Sequence, residues 1–193
     1  VQMENFIIGK NANLNTVSLH LGSGQSRIES KGVLQGEGAN FDYGSVYLGR
    51  NDQLFDQRTI QVHEAPHCTS NLLCKNVLCN QSKSIFSGLI KVEEKAQHTD
   101  AYQTNRNLLL GSEGKADSLP GLEILANEVK CSHGATTSRI DPQDLFYLQS
   151  RGITSEKSEK LIALGFLNEP LMGINDKNSR EWAMQCLESS FAS

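Results

Sequence analysis

Up to about residue 140 the chain consists of short alternations of apolar and polar positions, broken by Gly, Asn, Asp and Ser, as in NTVSLHLGSG, RTIQVHEAP and SIFSGLIKV. A period of two puts the apolar side chains on one face of an extended segment, so these stretches read as short strands closed by turns. Proline is nearly absent from them. The two prolines before residue 140, Pro66 and Pro120, fall where the pattern reads as turns, and a missing N–H there costs the ladder nothing.

The alternations also repeat. EGANFDYGSVYLG (37 to 49) overlays TDAYQTNRNLLLG (99 to 111) at an offset of 62, and half of that, 31, brings CTSNLLCKNVLCN (68 to 80) between them. Val46, Val77 and Leu108 then coincide, as do Leu48, Cys79 and Leu110. The same offset carries His67 to His98, and a longer last step, stretched by GSEGKADSLPG, reaches His133. Strands repeating about every 30 residues without intervening helices predict a solenoid, a parallel β-helix, with Leu48, Cys79 and Leu110 stacked inward. An antiparallel sandwich is the alternative, but its Asn-Gly and Asp-Gly hairpin signals do not occur.

After residue 140 the period changes. Asp141 before Pro142 is a helix cap with proline at the first helical position, and QDLFYLQSRG runs from there to a stop at Gly152. Thr154 or Ser155 caps EKSEKLIALGFL, whose apolar face is Leu161, Leu164 and Phe166 or Leu167, and Pro170 is expected to end it. In the third segment, DKNSREWAMQCLESSF, Trp182 and Cys186 share a face. The expected division is a β-helix core over 1–140 and a small α-helical domain over 141–193.

Composition narrows the partners. With 18 basic against 22 acidic residues the net charge is -4, which favours neither nucleic acid nor a membrane surface. No apolar run is long enough to span a membrane, and VQMENFIIGK lacks the layout of a signal peptide. The expected location is cytoplasmic, or the plastid stroma if the source is photosynthetic. With Val at position 1 the chain reads as a fragment of a longer protein. Five cysteines without a C-x-x-C spacing fit reduced thiols better than a disulfide framework.

The candidate chemistry is sparse. Cys68, Cys74 and Cys79 match no zinc or ferredoxin spacing, and the repeat makes Cys79 a small core residue. Cys186 reads as packing, His67 and His98 as turn markers, and His20 and His63 carry no context. The Gly-rich GSGQS and GEGAN are not followed by the helix a phosphate loop needs. Cys131 and His133, in KCSHGAT, differ because residues i and i+2 of a strand point to the same face and can address one ligand. On residue physics alone the pair reads as a buried Cys beside a capping His, for no third orienting group or G-x-S-x-G motif accompanies it.

FSGLIKV, AYQTNRNLLLG, GLEILANEVKCSHGATTSRID and DLFYLQSRGI, in that order, resemble the SufB/SufD family of iron–sulfur cluster assembly scaffolds, with KCSHGAT closer to the SufD branch. The match is dense from about 84 to 167 and weaker upstream. The resemblance implies a right-handed parallel β-helix followed by a C-terminal helical domain. It also implies a complex with a SufB-like scaffold, or a homodimer, and with a SufC-type ABC ATPase docked on the C-terminal helices. The expected role is a non-catalytic scaffold with no stably bound cofactor, holding iron or a nascent cluster transiently at a shared subunit interface through His133, beside Cys131. Were the chain SufB-like instead, Cys68, Cys74 and Cys79 would be the candidates for a cluster-building cysteine in the core. Two other classes are weaker. A carbohydrate-active β-helix enzyme needs paired carboxylates and aromatic platforms, against 6% aromatic residues here; a pure interaction module would hold partners together without touching iron.

Overall fold

The computed structural model describes residues 1–191, so the last two positions of the expected helical domain, 192 and 193, lie outside the described residues. Ten strands come first: β1 (Gln2–Ile8), β2 (Asn13–His20), β3 (Gln25–Leu34), β4 (Asn40–Gly49), β5 (Leu54–His63), β6 (Thr69–Cys79), β7 (Lys83–Val92), β8 (Asp100–Leu110), β9 (Lys115–Ile124) and β10 (Lys130–Arg139). Odd strands form one sheet in the order β1-β3-β5-β7-β9 and even strands another in the order β10-β8-β6-β4-β2. Every pairing is parallel. The result is the expected parallel solenoid, about five turns of two strands each.

The turns explain why the sequence closes this way. Asn11, Gly38, His67 and His98 stand at one corner on successive turns, and Ser23, Asn51, Asn80 and Gly111 at the other, all with positive φ. Each corner needs a left-handed residue, which Gly, Asn and, less readily, His supply. At the first corner every such residue donates its N–H to the turn above, as His67 does to the Gln97 carbonyl at 2.9 Å. The His67 and His98 rings stack, centroids 4.7 Å apart, so both histidines mark turns, as expected.

The register differs from the expected one. Leu48 lies beside Val77 and Val77 beside Leu108, whereas Val46 meets Lys75 and Cys79 meets Leu110. Leu48, Cys79 and Leu110 are therefore not one stack. The corner over 93–99 is two residues longer than the one over 64–68, so the turns are unequal and a uniform repeat of 31 slips by two. A slip of two preserves which face a side chain takes. That face is nevertheless the outer one: Val46, Leu48, Val77 and Leu108 pack outward against the helices, with Cys79 and Leu110 at the edge of the cluster. The lumen takes the other parity, with Phe41, Tyr43, Leu72, Cys74 and Phe86. His133 likewise lies beside Gln103 and does not continue the His67–His98 column. Pro120, expected in a turn, is inside β9, tolerated because β9 is an edge strand.

Three helices follow: α1 (Pro142–Ser150), α2 (Ser155–Leu171) and α3 (Lys177–Ser190). Asp141, Thr154 and Asp176 cap them, each accepting a hydrogen bond from a backbone N–H of the first turn. Helix α2 runs one residue past Pro170: the ring forfeits the bond to the Phe166 carbonyl, but so near the helix end only that one turn is affected, and the Met172 N–H still bonds back to the carbonyls of Asn168 and Glu169. Its buried positions include Ala163, Leu167 and Leu171, while Leu161 is 51% exposed. On α3 the buried residues are Ala183 and Leu187, and Trp182 is 65% exposed. Lys75, buried on the outer face of β6, fastens α2 to the sheet: its ammonium pairs with Glu169 and lies 4.3 Å from the centre of the Phe166 ring. That contact holds the Glu169 carboxyl below its usual range.

Inside the lumen His63 is fully buried, its Nε2 2.8 Å from the Ser70 hydroxyl, and burial lowers its pKa to about 4. An unfolded histidine titrates near 6.5. Between those values the unfolded chain holds the extra proton, so stability should fall as pH drops from about 6.5 to 4, by on the order of 1–3 kcal/mol. Chemical denaturation across this range should show the decline, and His63→Leu should flatten it.

Candidate functional site

Solenoid strands take their hydrogen-bond partners from the turns before and after. Strands β9 and β10 have only the turn before, through β7 and β8, and so expose a row of unpaired backbone groups and an open lumen at the same end. The lumen-facing side chains Leu122 and Ile124 of β9 are each 37% exposed, and beyond Cys131 every residue of β10 is exposed. The polar content of β10, KCSHGATTSR, fits a strand whose lumen side is not sealed by its own chain.

Cys131 and His133 lie on this last strand, on its lumen side, beside Ala101 and Gln103 of β8. The structure thus gives the two residues a common face, but very different surroundings. Cys131 is half-buried against Ile90, Val92, Ala96, Ala101 and Val129, and burial raises its thiol pKa; it is a neutral, packed group. His133 is exposed, and its ring makes no hydrogen bond among the described residues. An imidazole free to turn into the open end is a suitable iron ligand. One imidazole and one packed thiol cannot supply the four ligands of a usual cluster. Among the described residues no group of three or more His, Cys, Asp or Glu is placed to hold a metal.

The other candidates are dispersed. Cys74 is in the lumen among Ser45 and Gln57, its thiol pushed up to about 12 by burial. The Cys68 thiol donates to the Gly36 carbonyl at a corner, 3.2 Å away. Cys79 lies beside the helices, with Arg50, Glu159 and Phe191 lining the same cleft, and burial raises its pKa as well. Cys186 is half-buried on α3. His20 stacks on Tyr47 at 4.6 Å, and burial lowers its pKa.

Sequence reasoning passed over Gln103. It is 1% exposed, neighbours His133 on the lumen face, and neither of its amide atoms has a hydrogen-bond partner. Only its place in the repeat could have marked it: correct register puts it level with Leu72, a polar residue in an apolar slot.

Alkylation of the folded chain at mildly alkaline pH should leave Cys68 and Cys74 unmodified and reach Cys131 slowly, because the thiolate is the reactive form. Peptide mapping would report this. Rapid labelling of Cys74 before unfolding would contradict the burial described.

The profile of the family described as "SUF system FeS cluster assembly, SufBD core domain" matches residues 1–166. The likeness therefore extends upstream of the dense motifs to the first residue. The chain is 34% identical over 175 residues to the iron–sulfur cluster assembly protein SufD of Escherichia coli, covering 91% of this chain and 41% of that protein. It is 33% identical over 147 residues to SufD of Bacillus subtilis, covering 76% and 34%. A SufBD family protein of Mycobacterium leprae is 32% identical over 190 residues, covering 94% and 48%. The chain spans less than half the length of these relatives.

Proposed function

The chain belongs to the SufBD core family of the SUF iron–sulfur cluster assembly system, and from that premise we propose that it acts as a SufD-type, non-catalytic scaffold subunit. Iron or a nascent cluster is its transient cargo. The observation that carries the reading is His133, whose exposed imidazole has no hydrogen-bond partner among the described residues and stands on the lumen face of a last strand paired on one edge only. The remaining ligands come from a second chain seated on the β9 and β10 edges, either a SufB-like scaffold or another copy. His133 holds the cargo at this seam, while packed Cys131 shapes the wall beside it. Burial raises the thiol pKa of each core candidate, Cys68, Cys74 and Cys79, and so disfavours the thiolate that a SufB-like cluster-building cysteine needs, which supports this reading over that one.

The C-terminal helices are the proposed seat of a SufC-type ATPase. Helix α1 buries none of its residues, leaving Phe146 72% and Tyr147 58% exposed. Trp182 stands at a groove of about 510 Å³ bordered by Val17, Leu19, Leu171 and Ile174. Exposed aromatics are the residues interfaces enrich.

His133→Ala should leave melting and partner binding near wild type, because the imidazole supports nothing in the fold. Anaerobic reconstitution of the complex with ferrous iron and sulfide should then lose its cluster, and a wild-type yield would remove the site.

Deleting the helices would uncover Val46, Leu48, Val77 and Leu108, so the ATPase contact is better tested at the surface. Phe146→Ala with Trp182→Ala should leave the melting temperature unchanged and weaken ATPase binding by about tenfold or more, the loss of 1–2 kcal/mol typical of exposed anchors. Calorimetric titration with the ATPase subunit would measure it.

A further inference from the structure

We propose that Gln103 is the positioning residue for His133: when a second chain closes the last turn, the Gln103 amide oxygen accepts the N–H of one ring nitrogen and leaves the other nitrogen's lone pair aimed at iron. The inference rests on the reading of His133 as an iron ligand and names what orients it.

Four observations meet at this residue. Gln103 is 1% exposed, and neither Oε1 nor Nε2 has a hydrogen-bond partner. A buried amide in that state opposes folding. Packing does not require it, for the same slot one turn earlier holds Leu72, fully buried in an apolar cluster. The amide also reaches across the lumen to β7, where a Cβ on Gly88 would come within 2.4 Å of Oε1, so the opposite sheet leaves room for it only by carrying glycine. Finally, His133 is its immediate neighbour on the open side.

Adjacent strands lie about 4.8 Å apart, within reach of a glutamine and a histidine that share a face. His133 is exposed and unbonded, so it can change rotamer without losing a contact. A metal-bound histidine normally gives its other ring N–H to a protein acceptor, which fixes the tautomer and the ring plane. A glutamine offers that acceptor, with a donor beside it. In the chain alone the amide is unpaired and the imidazole faces solvent. Closing the lumen turns the ring onto the amide, and the hydrogen bond sets the ring's orientation toward iron without adding a contact to the partner.

The test uses the full-length protein assembled with its scaffold partner, with ferrous iron titrated anaerobically as the probe and melting recorded in parallel. Gln103→Leu should melt at or above the wild-type temperature, because it removes an unpaired buried amide, yet bind iron about 10- to 100-fold more weakly. Gln103→Glu keeps an acceptor oxygen at the same length and should recover affinity that Leu loses. Wild-type iron affinity in Gln103→Leu, or a loss accounted for by unfolding, overturns the inference. His133→Ala separates the two readings: if it abolishes iron binding while Gln103→Leu does not, only the role of Gln103 falls, and if it binds as wild type, the site itself falls.

Discussion

The parallel ladder between successive turns is the interaction on which the rest depends. A strand in the middle of this solenoid draws both rows of its backbone hydrogen bonds from strands about one turn away in sequence, so no turn is complete without its neighbours. The corners obey the same condition. His67 and His98 accept a backbone conformation that few side chains favour because each N–H then reaches the turn above. The ladder necessarily stops at β9 and β10, and the candidate chemistry is found where it stops.

The two outer faces have different fates. On the even sheet, outward Val46, Leu48, Val77 and Leu108 make an apolar floor on which α2 and α3 lie. Gly44 permits the close approach of Pro170, with a Cβ there already 3.3 Å from the proline ring, and Lys75 pins Glu169 above it. On the odd sheet, Arg27, Glu29, Asp56 and Arg58 form surface ion pairs and remain uncovered. The helices therefore share one core with the sheet that carries His133.

Polar side chains form bonded layers within the lumen at more than one level. Near β1 the Tyr43 hydroxyl donates to the Glu4 carboxylate at 3.0 Å and the Ser30 hydroxyl does so at 2.8 Å. Further along, Asn76 donates to the Asn107 amide oxygen, Asn107 to that of Asn105, and Ser118 to Asn105. These networks satisfy most of their atoms, which is what a buried polar layer requires to be tolerated. The unpaired amide of Gln103 departs from that rule, and it does so beside the one exposed imidazole of the last turn.

The sequence by itself determined the class of fold, the corner role of His67 and His98, the capped starts of the first two helices at Asp141 and at Thr154 or Ser155, and the common face of Cys131 and His133. All of these follow from local chemistry: period-two alternation, left-handed tolerance, side chains that cap an N-terminus, and the geometry of i and i+2 on a strand. Only the tertiary structure decided the rest. It set the register, because two extra residues at one corner shift every later partner without altering the pattern that a sequence displays. It turned Leu48, Val77 and Leu108 outward, because alternation marks two faces and cannot say which one a helix will cover. And it separated Cys131 from His133, since two neighbours on one face differ in burial according to what stands on the adjacent turn: an apolar cluster around Ala101 for the thiol, and the edge of an open lumen over Gln103 for the imidazole.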